Sequence, residues 1–300
     1  MSFIEPILAG MLTRAETLVP LLVAALLVGE ILARISGVAW LMEASGRVAA
    51  WLERKLNREN RGVATRVYRG MVALGMLLLP ALVLGVLLAR DNQISHLCTL
   101  LLLPALMGDG LAPIRQFRNW RRASQGALPL TLPGLDFLFA DSHAVKRYLM
   151  LTQAERFAVN VVGVALWYML GGMALVLAYL AVAQCARYGN GAAFGWAASA
   201  LFGLMDALPR GLTCLLLTLA AIFTTGAKPW RVFAARRFHG FVAALTDVSL
   251  GGTLPGRELP WAGTGTPKAT ATHLARWGLM EMTALVLLVL ALSGRQMLVG

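Results

Sequence analysis

Several residues in this chain have the type and spacing to do chemistry. Glu30 is a carboxylate within a long apolar run. An ionisable group in such surroundings is costly, which makes it a functional candidate by default. The plainer reading pairs it with Arg34, one turn later on the same helix face. Arg47, Arg54, Lys55 and Arg58 stand in GRVAAWLERKLNRENRG (46–62), where Val48, Trp51, Leu52 and Leu56 recur at three- and four-residue spacing. That pattern predicts a helix with one apolar face and one cationic face. The cations would meet anionic lipid headgroups, or Arg47 and Arg54 would receive a phosphorylated or carboxylated ligand. Asp141 and His143 in FADSHAVKRY offer an acid–base pair or a start on a metal site, although two residues without partners are too few to hold a metal. The plainer reading of Asp141 is the cap of a helix beginning near Ser142. Asn160, Asp206 and Arg210 are polar in otherwise apolar surroundings. Buried polar groups need partners, and Asp206 with Arg210 is the simplest pair.

No motif names a catalytic residue. GxSxG, HExxH, Walker and dinucleotide fingerprints are absent. His96, His239 and His273 are isolated, and Cys98, Cys185 and Cys214 lie far apart without a CxxC pair. Neither a disulfide framework nor a metal site is therefore expected.

The elements that must position these residues follow from composition. The chain has 300 residues, is 58% hydrophobic and only 14% charged, with a net charge of +12; a soluble domain carries about 25% charged residues. Charge is nearly absent from long stretches and dense between them, the pattern of membrane spans and loops. In so apolar a chain the basic excess reads as positive-inside bias. No nucleic-acid motif accompanies it, so no nucleic-acid partner is expected.

A helix needs about 20 apolar residues to cross the hydrocarbon. Candidate spans lie near 17–34, 71–89, 94–113, 157–183, 197–226 and 278–293. The first reads as a retained span, not a cleaved leader, because Glu5 precedes the first basic residue, Arg14, and no small-x-small cleavage site follows. The stretch 71–89 carries no charge, and Pro80 at its centre should kink it. Pro104 and Asp109 leave 94–113 open to being re-entrant, and 157–183 is either one tilted helix or a helix broken at Gly171-Gly172. Asp206, Pro209 and Arg210 interrupt 197–226, so that Gly211–Gly226 alone is a marginal span. With about six crossings, the basic segments 47–69, 115–147 and 228–276 all fall on one side, which is cytoplasmic by the positive-inside rule. The expected fold is all-α: a polytopic transmembrane helical bundle over residues 1–300, a single integral membrane domain with both termini periplasmic. Self-association is left open. A transporter is disfavoured, since no paired broken helices or inverted halves stand out.

Four blocks carry a resemblance: GRVAAWLERKLNR (46–58), LWYMLGGMALVLAYLAV (166–182), FGWAASALFGLMDALPRGLT (194–213) and TPKATATHLAR (266–276). In order and spacing the chain resembles the adenosylcobinamide-phosphate synthases of cobalamin biosynthesis, the CobD/CbiB family. The resemblance implies a protein of the bacterial cytoplasmic (inner) membrane. It implies formation of an amide between aminopropanol phosphate and a carboxylate of adenosylcobyric acid, with ATP and Mg²⁺ as cofactors if that activity is retained, and a corrinoid or other anionic small molecule as partner. Arg47, Glu53, Arg54, Asn57, Asp206 and Arg210 match the family by position, and Asp141 is similar to an acid of its arginine-aspartate-threonine motif.

The sequence departs from the family where the chemistry should sit. An acidic-asparagine block is missing where ERFAVN (155–160) runs into VVGVALWY, Leu180 stands where the family has lysine, and AQCARYG (183–189) replaces an aspartate-serine-methionine run. WLMEAS (40–45) replaces a histidine-proline-valine motif. The scaffold positions match while ligand and metal positions do not, which implies impaired or lost catalysis in a divergent homologue, since phosphate and metal sites tolerate few lost carboxylates. The alternative is a non-enzymatic sensor or signalling protein similar to the AmpE membrane proteins, with which the TPKA stretch agrees.

Overall fold

The computed structural model describes residues 10, 13–14, 17–22, 38–58, 60–89, 93–107, 131–132, 135–136, 155–188, 193–223, 279 and 283–289. The fold class is all-α, a membrane helical bundle. Its helices are α1 (Val38–Leu56), α2 (Val63–Leu88), α3 (Gln93–Met107), a π-helical segment (Phe157–Gly163) that runs into α4 (Val164–Tyr188), and α5 (Trp196–Phe223). The one pair of strands among the described residues is β1 (Thr131–Leu132) and β2 (Leu135–Asp136), joined antiparallel. The chain forms two compact units, Met1–Asp109 with Val159–Pro209 and Gly110–Ala158 with Arg210–Gly300.

In the first unit α2 packs most extensively on α4, and α1 lies against both. α2 begins at Val63, ahead of the uncharged run, and so takes Arg66 and Arg69 into its first turns. At 26 residues it is about 39 Å long, enough to cross roughly 30 Å of hydrocarbon. Its outer face carries Leu79, Val83 and Val86, which are 65%, 58% and 58% exposed. A continuous apolar surface of this kind needs lipid or protein against it. Three helical stretches have the length and composition to cross a membrane, Val63–Leu88, Phe157–Tyr188 and Trp196–Phe223, while His96–Met107 is shorter.

The longest of these does not run straight. Gly171 (φ −147°, ψ 17°) and Gly172 (φ 65°, ψ −157°) break it. A Cβ placed on Gly163 would lie 2.7 Å from Tyr179 Oη, and the Trp167 and Tyr179 rings are 6.2 Å apart. A continuous α-helix would separate positions 163 and 179 by about 24 Å, beyond the reach of one side chain. The chain therefore reverses at Gly171-Gly172, and the segment is a helical hairpin. At the reversal Arg14 Nη1 donates to the carbonyls of Met169 (3.5 Å) and Leu170 (3.4 Å). Those carbonyls end the first arm and have lost their helical donors, and a cation there opposes the negative end of the helix.

The returning arm lies along α2. Cβ atoms on Gly85 and Gly70 would overlap the Ala174 backbone and the Phe194 carbonyl oxygen, and one on Gly46 would lie 2.9 Å from the Tyr188 ring. Ala174 thus sits at the C-terminal end of α2, with Tyr188 and Phe194 beside α1 and the start of α2. Tyr188 and Phe194 lie at the same end of this unit as the basic 47–69 segment. Of the two expectations for 157–183, the geometry selects the helix broken at Gly171-Gly172 over the single tilted helix.

Two other expectations gain detail. α1 ends at Leu56 and its packed stripe is Ala49 and Leu52, with Leu56 half-buried; Val48 and Trp51 are 45% and 51% exposed. At 100° per residue they lie on the other side of Leu52 from Ala49, so the apolar face is split between protein and surroundings. α5 continues through Asp206, Pro209 and Arg210 as one helix of 28 residues, so the marginal span from 211 does not arise. Of the expected first span, 17–22 is helical with Leu18, Leu21 and Leu22 buried; the rest lies outside the described residues.

In the second unit Thr213, Leu216, Leu217, Ala220 and Ala221 form a buried stripe on α5 at helical spacing. Thr218 donates to the Cys214 carbonyl at 2.6 Å and Thr283 to that of Leu279 at 2.8 Å. Returning a hydroxyl to its own helix is how threonine is accommodated in an apolar span. Of the expected last span, 279 and 283–289 are helical, with Ala284, Leu285 and Leu288 buried.

Candidate functional site

Glu53 and Asn57, two of the residues that match by position, come together with Arg66 and Arg69, which the charge pattern had assigned to a loop. Glu53 and Asn57 are one turn apart, and Asn57 N donates to the Glu53 carbonyl at 2.7 Å, which carries the last turn of α1 one residue further. Asn57 Nδ2 donates to Glu53 Oε1 at 3.3 Å, which turns Asn57 Oδ1 outward to accept from Arg66 Nε at 3.0 Å. Arg69 Nη1 donates to the Leu56 carbonyl at 3.3 Å. The terminal carbonyls of a helix lack internal donors, so a guanidinium from the start of α2 satisfies one of them. The turn itself is tight, with Arg58 N on the Leu56 carbonyl (3.1 Å) and Arg61 N on that of Arg58 (3.2 Å).

Around this knot Arg47, Arg54, Lys55, Arg58 and Arg61 are exposed, while Glu53, Asn57, Arg66 and Arg69 are half-buried. The arrangement can hold an anion, and its fixed members are Arg66 and Arg69. Arg47 and Arg54, the cations first expected to do this, point into the surroundings. The signal for Arg66 and Arg69 was their three-residue spacing, which puts both on one face once α2 is known to begin at Val63. Beneath them a small, mostly apolar cleft is lined by Ala49, Leu52, Gly70, Ala73, Cys185 and Phe194, among others.

A second constellation lies inside the first unit. Asp206 and Tyr179 are both fully buried, and Tyr179 Oη donates to Asp206 Oδ1 at 2.7 Å. Tyr179 stacks on Phe202 at 5.8 Å and lies near Trp167, whose Nε1 is buried without an acceptor among the described residues. Gly163 leaves the room that the Tyr179 ring fills. The sequence pointed to Arg210 for Asp206; the structure gives Asp206 a bond from Tyr179, about two turns into the returning half of the hairpin. Asn160 is half-buried in the π-helical segment.

The two constellations are separate: Glu53 and Asn57 belong to the α1–α2 turn, Asp206 to the hairpin–α5 contact. Glu30 and Asp141 lie outside the described residues, as do Arg34 and His143. Among the described residues no group of three His, Cys, Asp or Glu side chains could hold a metal ion, and Cys98, Cys185 and Cys214 are free thiols.

Comparison with known proteins agrees with part of the resemblance. No protein-family model matches the chain, and no solved structure matches it. A cobalamin biosynthesis protein CobD from Rhizobium meliloti (strain 1021) is 29% identical over 213 residues, 65% of this chain and 65% of that protein. A cobalamin biosynthesis protein CobD from a Sinorhizobium species is 28% identical over 212 residues, 65% of this chain and 66% of its own length. The matched stretch thus spans just under two thirds of each relative.

Proposed function

We propose that this chain is a membrane protein of cobalamin biosynthesis, placed in the bacterial cytoplasmic membrane at the step that joins aminopropanol phosphate to adenosylcobyric acid, with its catalysis impaired. What supports the pathway is the likeness to the CobD proteins over 213 residues. The observation that carries the reading at the level of structure is the chain Glu53–Asn57–Arg66, in which two residues matched by position orient a guanidinium. Such a group suits the phosphate of an amino-alcohol phosphate or a carboxylate of a corrinoid.

The impairment rests on the lost carboxylates. Mg²⁺ and ATP belong to this protein only if amide formation is retained, and ATP activation of a carboxylate needs acidic ligands to place the metal. Among the described residues, Arg66 and Arg69 supply cations that suit a phosphate.

Deleting the gene in a cobalamin-producing host tests the reading. Growth restored by cobinamide and not by cobyric acid is expected. Expression in a host without its own synthase should restore growth slowly. Unchanged growth of the deletion strain without supplement would overturn the pathway assignment and turn attention to the non-enzymatic, AmpE-like sensor.

A further inference from the structure

We infer that Arg66 and Arg69 form a phosphate-binding site at the head of α2, taking a phosphate dianion or the phosphate of a monoester or headgroup. The inference stands on the geometry of the α1–α2 turn and does not depend on the pathway reading.

Both residues are on the first turns of α2, three apart, so their side chains share a face. Each is held by a neutral acceptor: Arg66 Nε by Asn57 Oδ1 at 3.0 Å, Arg69 Nη1 by the Leu56 carbonyl at 3.3 Å. A neutral acceptor orients a guanidinium without cancelling its charge. Glu53 acts one step removed, fixing the Asn57 amide through a 3.3 Å bond rather than pairing with either arginine. Arg66 thereby keeps both terminal nitrogens, the fork that matches phosphate oxygens, for a ligand.

The surroundings favour an anion. Arg54, Arg58 and Arg61 are exposed close by in sequence and raise the local potential. The first turn of α2 carries no acidic residue, and its N-cap, Gly62, supplies no side-chain acceptor. The positive end of that helix is therefore not offset by its own sequence. Half-burial of Arg66 and Arg69 lowers the dielectric around them while leaving access.

Phosphate of this kind comes from a soluble ligand or from an anionic lipid, and two arms separate them. In the first, the detergent-purified full chain is titrated with inorganic phosphate against chloride at matched ionic strength, following thermal unfolding. In the second, the chain is placed in nanodiscs of phosphatidylcholine with or without phosphatidylglycerol. A rise in unfolding temperature in the first arm assigns the site to soluble phosphate; a rise in the second alone assigns it to the headgroup. In whichever arm responds, Arg66→Ala with Arg69→Ala should weaken the apparent affinity by about ten-fold or more, whereas Arg54→Ala should leave it within about two-fold. Asn57→Ala keeps both charges and frees the Arg66 fork, so it should weaken binding by several-fold in a protein whose ligand-free stability is measured alongside. No response of the unmodified chain in either arm, or an undiminished response in the double variant, overturns the proposal. Neither result touches the growth test of the pathway.

Discussion

Tyr179 Oη donates to Asp206 Oδ1 at 2.7 Å with both side chains fully buried, and this bond ties the returning arm of the α4 hairpin to α5. Removing one partner from a buried polar pair costs more than the bond is worth, because the other group loses its solvation without compensation. Tyr179→Phe should therefore destabilise the chain by about 1–3 kcal/mol. Asp206→Asn, which keeps an acceptor oxygen for the tyrosine, should cost less than Asp206→Leu. Reversible unfolding in mixed detergent micelles measures the order, and equal losses for the two Asp206 variants would show that the bond does not govern this contact.

The chain reversal depends on a backbone that only glycine adopts readily. Gly172 has φ 65° and ψ −157°, and a Cβ there would meet nothing nearer than Arg14 Nε at 3.7 Å. Gly172→Ala should cost about 1–3 kcal/mol through backbone strain alone. Gly203, inside α5 with nothing within 4 Å of its missing Cβ, is the matched control: Gly203→Ala should be neutral or stabilise by about 0.5–1 kcal/mol. The same unfolding assay compares them, and equal effects would remove the strain argument.

Helix contact on α2 depends on close backbone approach. A Cβ on Gly70 would overlap the Phe194 carbonyl oxygen, and one on Gly85 the Ala174 backbone, whereas Gly75 on the same helix has open space. Gly70→Ala and Gly85→Ala should each destabilise by about 1–3 kcal/mol as the helices move apart, and Gly75→Ala should not. Yield of monodisperse protein after thermal challenge reads the difference.

The hairpin also predicts labelling. Tyr188 packs beside Gly46, so Arg187 and Arg54, both exposed, belong to the same end of the unit. In a background lacking Cys98, Cys185 and Cys214, cysteines at 187 and at 54 should react with an impermeant maleimide from the same face of sealed vesicles. Reaction from opposite faces would contradict the reversal at Gly171-Gly172.

Much of the fold was legible because lipid imposes a simple rule on sequence. Val72 to Leu88 must be helical and apolar to satisfy its backbone where water is scarce, and it is helical. The cationic residues of α1 were legible for the same reason: Arg47, Arg54, Lys55 and Arg58 recur on one face and are exposed. Val48 and Trp51 were read onto the apolar face with Leu52 and Leu56; that Leu52 is packed on protein while Val48 and Trp51 are exposed was not legible, because periodicity tells which residues share a face and not which neighbour covers it.

What the residues determined alone is therefore the class and the chemistry on offer: apolar helices, a basic turn, a few costly polar groups, and glycines at 171 and 172 where a helix could break. What only the tertiary structure decided is which of these meet. Both a straight helix and a hairpin satisfy the same hydropathy, since each arm closes its own hydrogen bonds. The choice rests on Gly163 making room for Tyr179, on Arg14 reaching the carbonyls freed at the break, and on Gly85 admitting the returning arm at Ala174. These are contacts between residues distant in the chain, and no local pattern encodes them. For the same reason Arg66 and Arg69 read as loop charges until Asn57 and Leu56 were found beside them.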